Sequence, residues 1–261
     1  MQCDPLAEYR TSFVFKTMPN GWLVGRFEHL ELLGIPHLIT TKIGPDPYHA
    51  RYQTGLVLNQ IAGLLGLSEG TYLNQVHGGM VLTTSGGGLA GQADGLCTTR
   101  HGLLLGAKSG DCPIVLVADG SGKAVGFAHA SWRATASGII ANLIRSMQGL
   151  GCRPTELVAC ICPSIGPDCY QVGPDVLSAF MIGLGPDAEA FFLTRPDGLY
   201  LDLWAAASWA LRKAGLTQIH ACRICSACRP DLFPSHRRDG PDTGRFLAVI
   251  GLPGDVASWP R

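Results

Sequence analysis

The sequence predicts a single α+β domain, a mixed α/β arrangement in which mixed β-sheets are flanked by helices. Three observations predict it. Short apolar runs alternate along the chain with segments of helical period. Asp119-Gly120-Ser121-Gly122 separates two apolar runs, a hairpin signal that argues against a purely parallel sheet. No Pro/Ser-rich run, charge block or internal repeat interrupts the 261 residues, so 1–261 reads as one domain.

In chain order, residues 13–15 and 38–41 are short strands. Residues 56–67 carry Leu56, Ile61, Leu64 and Leu65 and are expected to be helical. A strand is expected within 72–83, around Val76 and Met80, and another at 103–107. The hairpin joins strands 113–117 and 124–128. Residues 137–147 place Ile139, Ile140, Leu143, Ile144 and Met147 at helical spacing. A buried strand at 157–161 is followed by a short helix at 175–181, behind Pro174. Asp202 is a candidate N-cap for a helix over 203–214 that stops at Gly215. Residues 246–251 form a last, central strand.

Twenty Lys and Arg balance twenty Asp and Glu, charged residues are 15 %, hydrophobic residues 46 %, and the mean hydropathy is +0.19. Such a chain buries a core and is not disordered. Without a basic surplus it is not a binder of polymeric nucleic acid. The apolar stretches 113–118 and 246–252 are too short to span a membrane. Met1–Pro5 has neither a basic nor an apolar export region, so a cytoplasmic location is expected. The ten cysteines are then expected to stay reduced, and to serve packing, metal ligation or catalysis rather than a disulfide frame.

Three segments set a metal-competent side chain at a strand end among small residues: Asn74–Gly79 with His77, Ser109–Pro113 with Cys112, and Phe127–Arg133 with His129. Two imidazoles and a thiolate suit Zn²⁺, and three protein ligands leave a position for water or substrate. The separations, 35 and 17 residues, are unlike those of a zinc finger. On spacing alone, a buried Cys and two core or surface histidines account for them better. Cys112 with a nearby His is also a possible nucleophile–base pair. Cys222-x-x-Cys225-x-x-Cys228 resembles part of a ferredoxin run, but the fourth position is Leu232, so packing thiols or a metal clip are expected instead. Cys160, Cys162 and Cys169 are expected in the core. His236-Arg237-Arg238-Asp239 and Arg245 form either an anion site or a solvated turn. Gly86-Gly87-Gly88 lacks the Lys of a phosphate-binding loop.

Taken in order, these segments resemble the laccase-domain family, also called the YfiH family, whose members carry the older label of multicopper polyphenol oxidase. The likeness runs from about residue 40 to 252. It rests on Asn74–Gly78, Ala93-Asp94-Gly95-Leu96, Asp111-Cys112-Pro113, His129–Arg133, Ile165-Gly166-Pro167 with Tyr170 and Val172, and Ser235–Asp239 with Thr243-Gly244-Arg245. The resemblance implies a layered sandwich and a zinc site made by His77, Cys112 and His129. It also implies phosphorolysis of adenosine, inosine, guanosine and methylthioadenosine, and deamination of adenosine. A single trio, in a chain of eight histidines, is too few ligands for the several coppers of a laccase. The chain departs from the family's pattern at Lys42, Gly110, Ser131, Ala134, Gln171 and His236. The changes at Lys42 and Gln171 alter anion geometry and remove a carboxylate.

On this reading the partners are purine nucleosides and phosphate, and zinc is the cofactor, with copper as the alternative. Arg133 or Arg238 is assigned to phosphate or to the leaving base. Asp111 is assigned as a proton shuttle or an orienting group, with a structural turn carboxylate as its alternative. Gln75, Lys42, Arg237, Arg238 and Gln171 are expected to bind substrate or phosphate. The rival readings are a copper-dependent phenol oxidase, a thiol hydrolase using Cys112, and a nucleoside-binding module without turnover. Of the ten cysteines, Cys112 alone is expected to be functional.

Overall fold

The computed structural model describes residues 13–254. Met1–Pro5, read above for an export signal, lies outside the described residues. Two large sheets pack face to face. The first runs in the order β1 (Phe13–Thr17), β2 (Leu23–Phe27), β3 (His37–Thr40), β16 (Phe246–Gly251), β8 (Leu103–Ser109), β4 (Glu69–Asn74), β6 (Gly88–Gln92). The second runs β15 (Gln218–Ala221), β11 (Leu157–Ile161), β9 (Ile114–Asp119), β10 (Val125–His129), β7 (Gly95–Thr98), β5 (Val81–Thr83). A small third sheet holds β12 (Gln171–Val172), β14 (Gly198–Leu201) and β13 (Phe192–Arg195). Pairing is mixed: β4 is parallel to β6 and β8, β5 to β7 and β11 to β15, and the remaining ladders are antiparallel.

Alternation of side chains along the strands builds the layers. In β8, Leu103, Leu105 and Ala107 face the second sheet, and Leu104 faces helix α3 (Thr54–Leu64). In β9, Ile114, Leu116 and Ala118 point to the first sheet. Val115 and Val117 point outward to α5 (Ile139–Gly149) and α7 (Leu203–Lys213). The result is helix, sheet, sheet, helix. Every β8 and β9 position but Lys108 is buried, which is why these strands read as apolar runs. Helix α3 lies close on the first sheet because Gly70 and Gly106 face Leu58. A Cβ on Gly106 would come within 2.3 Å of that leucine. Shorter helices complete the fold: α1 (Glu28–Leu32), α2 (Pro47–Tyr52), α4 (Trp132–Ala136), α6 (Pro174–Leu184) and α8 (His236–Asp239).

The hairpin, the central last strand, the Asp202 cap and the helices α3, α5 and α7 agree with the sequence reading. The expected strand around Val76 and Met80 does not form: β4 ends at Asn74 and β5 begins at Val81. The chain between them turns because the Asp94 carboxylate takes the backbone N–H of Val76 and of Gly78. The thiol expectations also need correction. Cys160, Cys162 and Cys222 are core residues, but Cys169 and Cys225 are only half-buried and Cys228 is disulfide-bonded.

His37, fully buried at the start of β3, links three elements in its neutral form. Its Nε2 accepts from the Phe27 N–H at 2.8 Å, and its Nδ1–H donates to the Ile35 carbonyl at 2.8 Å. Burial, and then the neighbouring Arg26 charge, push its pKa down to about 3. The folded pKa lies below the unfolded one, so this contribution is whole above about pH 6.5 and is lost as pH falls toward 3, at about 1.4 kcal/mol per unit. Denaturant titrations should show wild-type stability declining from pH 6.5 to 5 by about 2 kcal/mol more than that of His37→Gln. Equal slopes would remove His37 as the cause.

Candidate functional site

At one end of the paired sheets, three connections converge. His129 is the last residue of β10, Cys112 lies in the β8–β9 crossover between the two sheets, and His77 lies in the β4–β5 loop. Their ligand atoms fall within 4.8 Å of one another. The imidazole rings of His77 and His129 meet edge to face, with centroids 5.0 Å apart. His77 adopts φ +60° and Asp111 φ +125°, conformations that side-chain-bearing residues rarely take unless neighbours enforce them.

Asp94 does the enforcing at His77. It is fully buried, its Oδ2 accepts from Val76 N–H (3.0 Å) and Gly78 N–H (2.8 Å), and its Oδ1 lies 2.8 Å from His129 Nδ1. One carboxylate therefore shapes the loop that displays one imidazole and orients the ring of the other. With Nδ1 committed to Asp94, Nε2 is the His129 nitrogen left to ligate. Burial pushes Asp94 up, but the His129 ring and these N–H donors outweigh it and hold the carboxyl low. Burial also opposes charge on His129, yet the neighbouring Cys112 sulfur and the Asp94 carboxylate hold its pKa up at about 9. His77 is pushed down, first by burial and then by His129. Three soft or borderline donors thus converge beside a buried carboxylate, and the group fits a divalent transition-metal ion.

Asp111 is organised by its neighbours. Its Oδ1 accepts from Ser226 Oγ–H at 2.6 Å, its Oδ2 from the Arg237 N–H at 2.7 Å, and its carbonyl from Ile165 N–H at 2.8 Å. These bonds tie the Cys112 turn to two distant segments and account for the unusual φ.

The trio opens into a cleft of about 560 Å³, which is ample for a nucleoside. Arg51, Lys108, Arg133, Arg237 and Arg245 line it, with Asp111 as the carboxylate among the lining residues. Arg133 stacks on Trp132, 4.1 Å from the ring centroid. Burial, and then the charges of Arg245 and Arg51, push the Lys108 ammonium down; Arg245 is lowered by burial and by Arg51. Crowded, partly desolvated cations of this kind are relieved by an anion.

Of the residues predicted to bind substrate, Arg133, Arg237 and Gln75 line the cleft, and Lys42, Gln171 and Arg238 do not. Lys42 donates to the Pro230 carbonyl at 3.0 Å. The Gln171 amide donates to the Asp197 carbonyl. Arg238 is spent on Asp239 and on the carbonyls of Ser226, Ala227 and Phe233. Gln75 uses its amide on both backbone groups of Lys108, at 2.9 and 3.0 Å, and so fixes the loop before His77. Sequence reasoning missed the roles of Asp94, Lys108, Arg51 and Ser226, whereas Arg245, grouped there with a possible anion site, does line the cleft. Asp94 stood within a quoted motif, which was the one available signal.

These features agree with what the chain resembles. The family profile described as "Multi-copper polyphenol oxidoreductase laccase" matches residues 56–253, and the chain belongs to this family. Among curated relatives, a Deinococcus radiodurans protein named purine nucleoside phosphorylase is 34 % identical over 241 residues, covering 85 % of this chain and 90 % of that one. Escherichia coli purine nucleoside phosphorylase YfiH is 31 % identical over 186 residues, covering 71 % and 74 %. The crystal structure of Bacillus licheniformis YfiH superposes with a TM-score of 0.80 at 28 % identity, over 91 % of this chain and 98 % of that one. Geobacillus stearothermophilus YlmD superposes at 0.77 and 28 %, over 92 % and 99 %.

Proposed function

We propose that this chain is a zinc-dependent purine nucleoside phosphorylase that also deaminates adenosine. The observation that carries the reading is a nucleoside-sized cleft with the His77, Cys112 and His129 donors in its wall and five cations around them. The relatives' names support the reaction class. Those three residues would hold the zinc ion. When bound, it supplies Lewis-acid charge, for the departing purine in phosphorolysis and for water in deamination.

The chain's own residues do the remaining work. Arg133, Lys108 and Arg245 bind phosphate and hold it against the anomeric carbon. A phosphate oxygen bonds to that carbon as the carbon–nitrogen bond breaks and its electron pair leaves with the purine. The proton carried by hydrogen phosphate ends on the base, so the products are ribose-1-phosphate and free purine. Trp132 and Tyr170 line the same cleft and hold the Arg133 and Arg237 guanidiniums against their rings. Asp111 is a positioning residue, since both of its oxygens already hold Ser226 and Arg237.

The test is to incubate metal-analysed protein with adenosine, with and without phosphate, and to separate the products. Adenine with ribose-1-phosphate, only when phosphate is present, is expected, together with some inosine. Zinc-loaded protein that forms neither product overturns the reading. Arg133→Ala should raise the phosphate KM about 10-fold or more, the loss of one charge-assisted contact. An unchanged KM would take Arg133 out of the phosphate site. The closeness of Cys112 and His129 supports a second reading, a thiol hydrolase, which would survive chelation and be lost to alkylation.

A further inference from the structure

Outside the cleft lining, three more sulfurs meet. Cys169, Cys225 and Cys228 place their Sγ atoms within 4.8 Å of one another, with Cys169 and Cys228 at 3.4 Å. Cys169 follows the Ile165-Gly166-Pro167 turn after β11, and the other two follow β15. Cys169 and Cys225 sit at the margin of the small apolar cluster around Ile165, Phe180 and Leu201. The packing thiols Cys160, Cys162 and Cys222 are sealed inside the core, whereas these three are half-buried and their sulfurs face one another. Cys225 and Cys228 have the C-x₂-C spacing of paired metal ligands. The Gly166 backbone N–H donates to Cys225 Sγ at 3.2 Å, so the loop after β11 is already held to this sulfur.

We propose that Cys169, Cys225 and Cys228 form a second metal site, for a soft divalent cation of the zinc type, when Cys228 is reduced. Cys228 is disulfide-bonded in the structure, so a dithiol reductant must first open that bond. The reductant closes to its own disulfide, giving up two electrons and two protons, and the protein gains two thiols. Each ligand thiol then releases its proton to solvent as its sulfur–metal bond forms.

The site would clamp together the two loops that back the cleft. Ser226, between Cys225 and Cys228, donates to Asp111 and bonds the Ser164 carbonyl at 3.0 Å, and the Ile224 carbonyl accepts from Ser164 N–H at 3.1 Å. Arg238 grips the carbonyls of Ser226 and Ala227. A metal here therefore steadies the anchor of the Cys112 turn without touching substrate.

The test counts metal on the full chain. Protein is reduced with a dithiol, freed of reductant without air, loaded with zinc, desalted and analysed. A second equivalent of zinc is expected over the unreduced protein. Cys169→Ser or Cys225→Ser should lose that equivalent, whereas Cys112→Ser should lose the other one. Cobalt(II) added to reduced Cys112→Ser should still give an intense sulfur-to-metal charge-transfer band, and this readout leaves all three proposed ligands in place. No second equivalent after reduction, or no such band in Cys112→Ser, overturns the proposal. Failure at Cys169 and Cys225 leaves the cleft's metal count unchanged, so the two sites are judged separately.

Discussion

If the cleft holds a metal as proposed, replacing Cys112 by alanine is expected to strip it and to reduce phosphorolysis by about a thousandfold or more. Two imidazoles remain in that variant, one of them in a strained loop, and two neutral donors without the thiolate hold a divalent ion poorly. Losing a preorganised charge aimed at a leaving anion costs on the order of 10²–10³ in rate, and loss of the ion removes more than one such donor would. The substitution leaves the backbone intact. The bond the turn needs at this residue is made by the Cys112 carbonyl, which accepts from Ser109 Oγ–H at 2.6 Å. Circular dichroism should therefore be native-like while metal analysis and product separation both report loss. Metal retained at full stoichiometry at this site would disprove the ligand assignment.

Asp94→Asn is expected to weaken metal binding by about 10- to 100-fold, the usual cost of losing an orienting partner. The isosteric amide can still accept from Val76 N–H and Gly78 N–H. Turned that way, it presents an NH₂ group to His129 Nδ1. The ring must then accept at Nδ1 and carry its proton on Nε2, the nitrogen needed for ligation. Competition with a chromophoric chelator measures the shift, and excess zinc should restore part of the activity. Asp94→Ala goes further, leaving buried N–H groups and an unpaired ring, and should cost about 3–5 kcal/mol of stability. Unaltered affinity in Asp94→Asn would show that the carboxylate only supports the fold.

Much of this molecule can be read from its sequence, for identifiable reasons. The β9–β10 hairpin is local, written in four turn residues. Helix α5 is legible because Ile139, Ile140, Leu143, Ile144 and Met147 repeat at helical spacing, all of them buried. The trio could be singled out because each ligand is flanked by small residues, although spacing by itself did not favour it. What stayed hidden depends on distant partners. The 76–80 segment looks like a strand until the Asp94 carboxylate, 16 to 18 residues away, takes its amides. Arg238 looked like an anion binder, but four carbonyl and carboxylate partners absorb its guanidinium, whereas Arg51 and Lys108 are brought beside Arg245 only by the fold. The small sheet of β12, β13 and β14 carries too few alternating residues to announce itself. The meeting of Cys169 with Cys225 and Cys228 spans a separation that no motif encodes.

The position of Cys112 on the crossover between the two sheets has a consequence for the order in which the molecule is made. His129 belongs to the second sheet, and the His77 loop leaves the first sheet and enters the second. A cation gripped by all three therefore bridges both layers, and its cradle exists only after the layers have docked. On the proposed metal reading, capture would follow docking of the layers, a seal on completed assembly and not a nucleus for it. At a free metal concentration a thousand times the dissociation constant, that seal adds about 4 kcal/mol against unfolding. Melting curves recorded with and without chelator should then differ by a whole cooperative shift, not by the fraying of one loop.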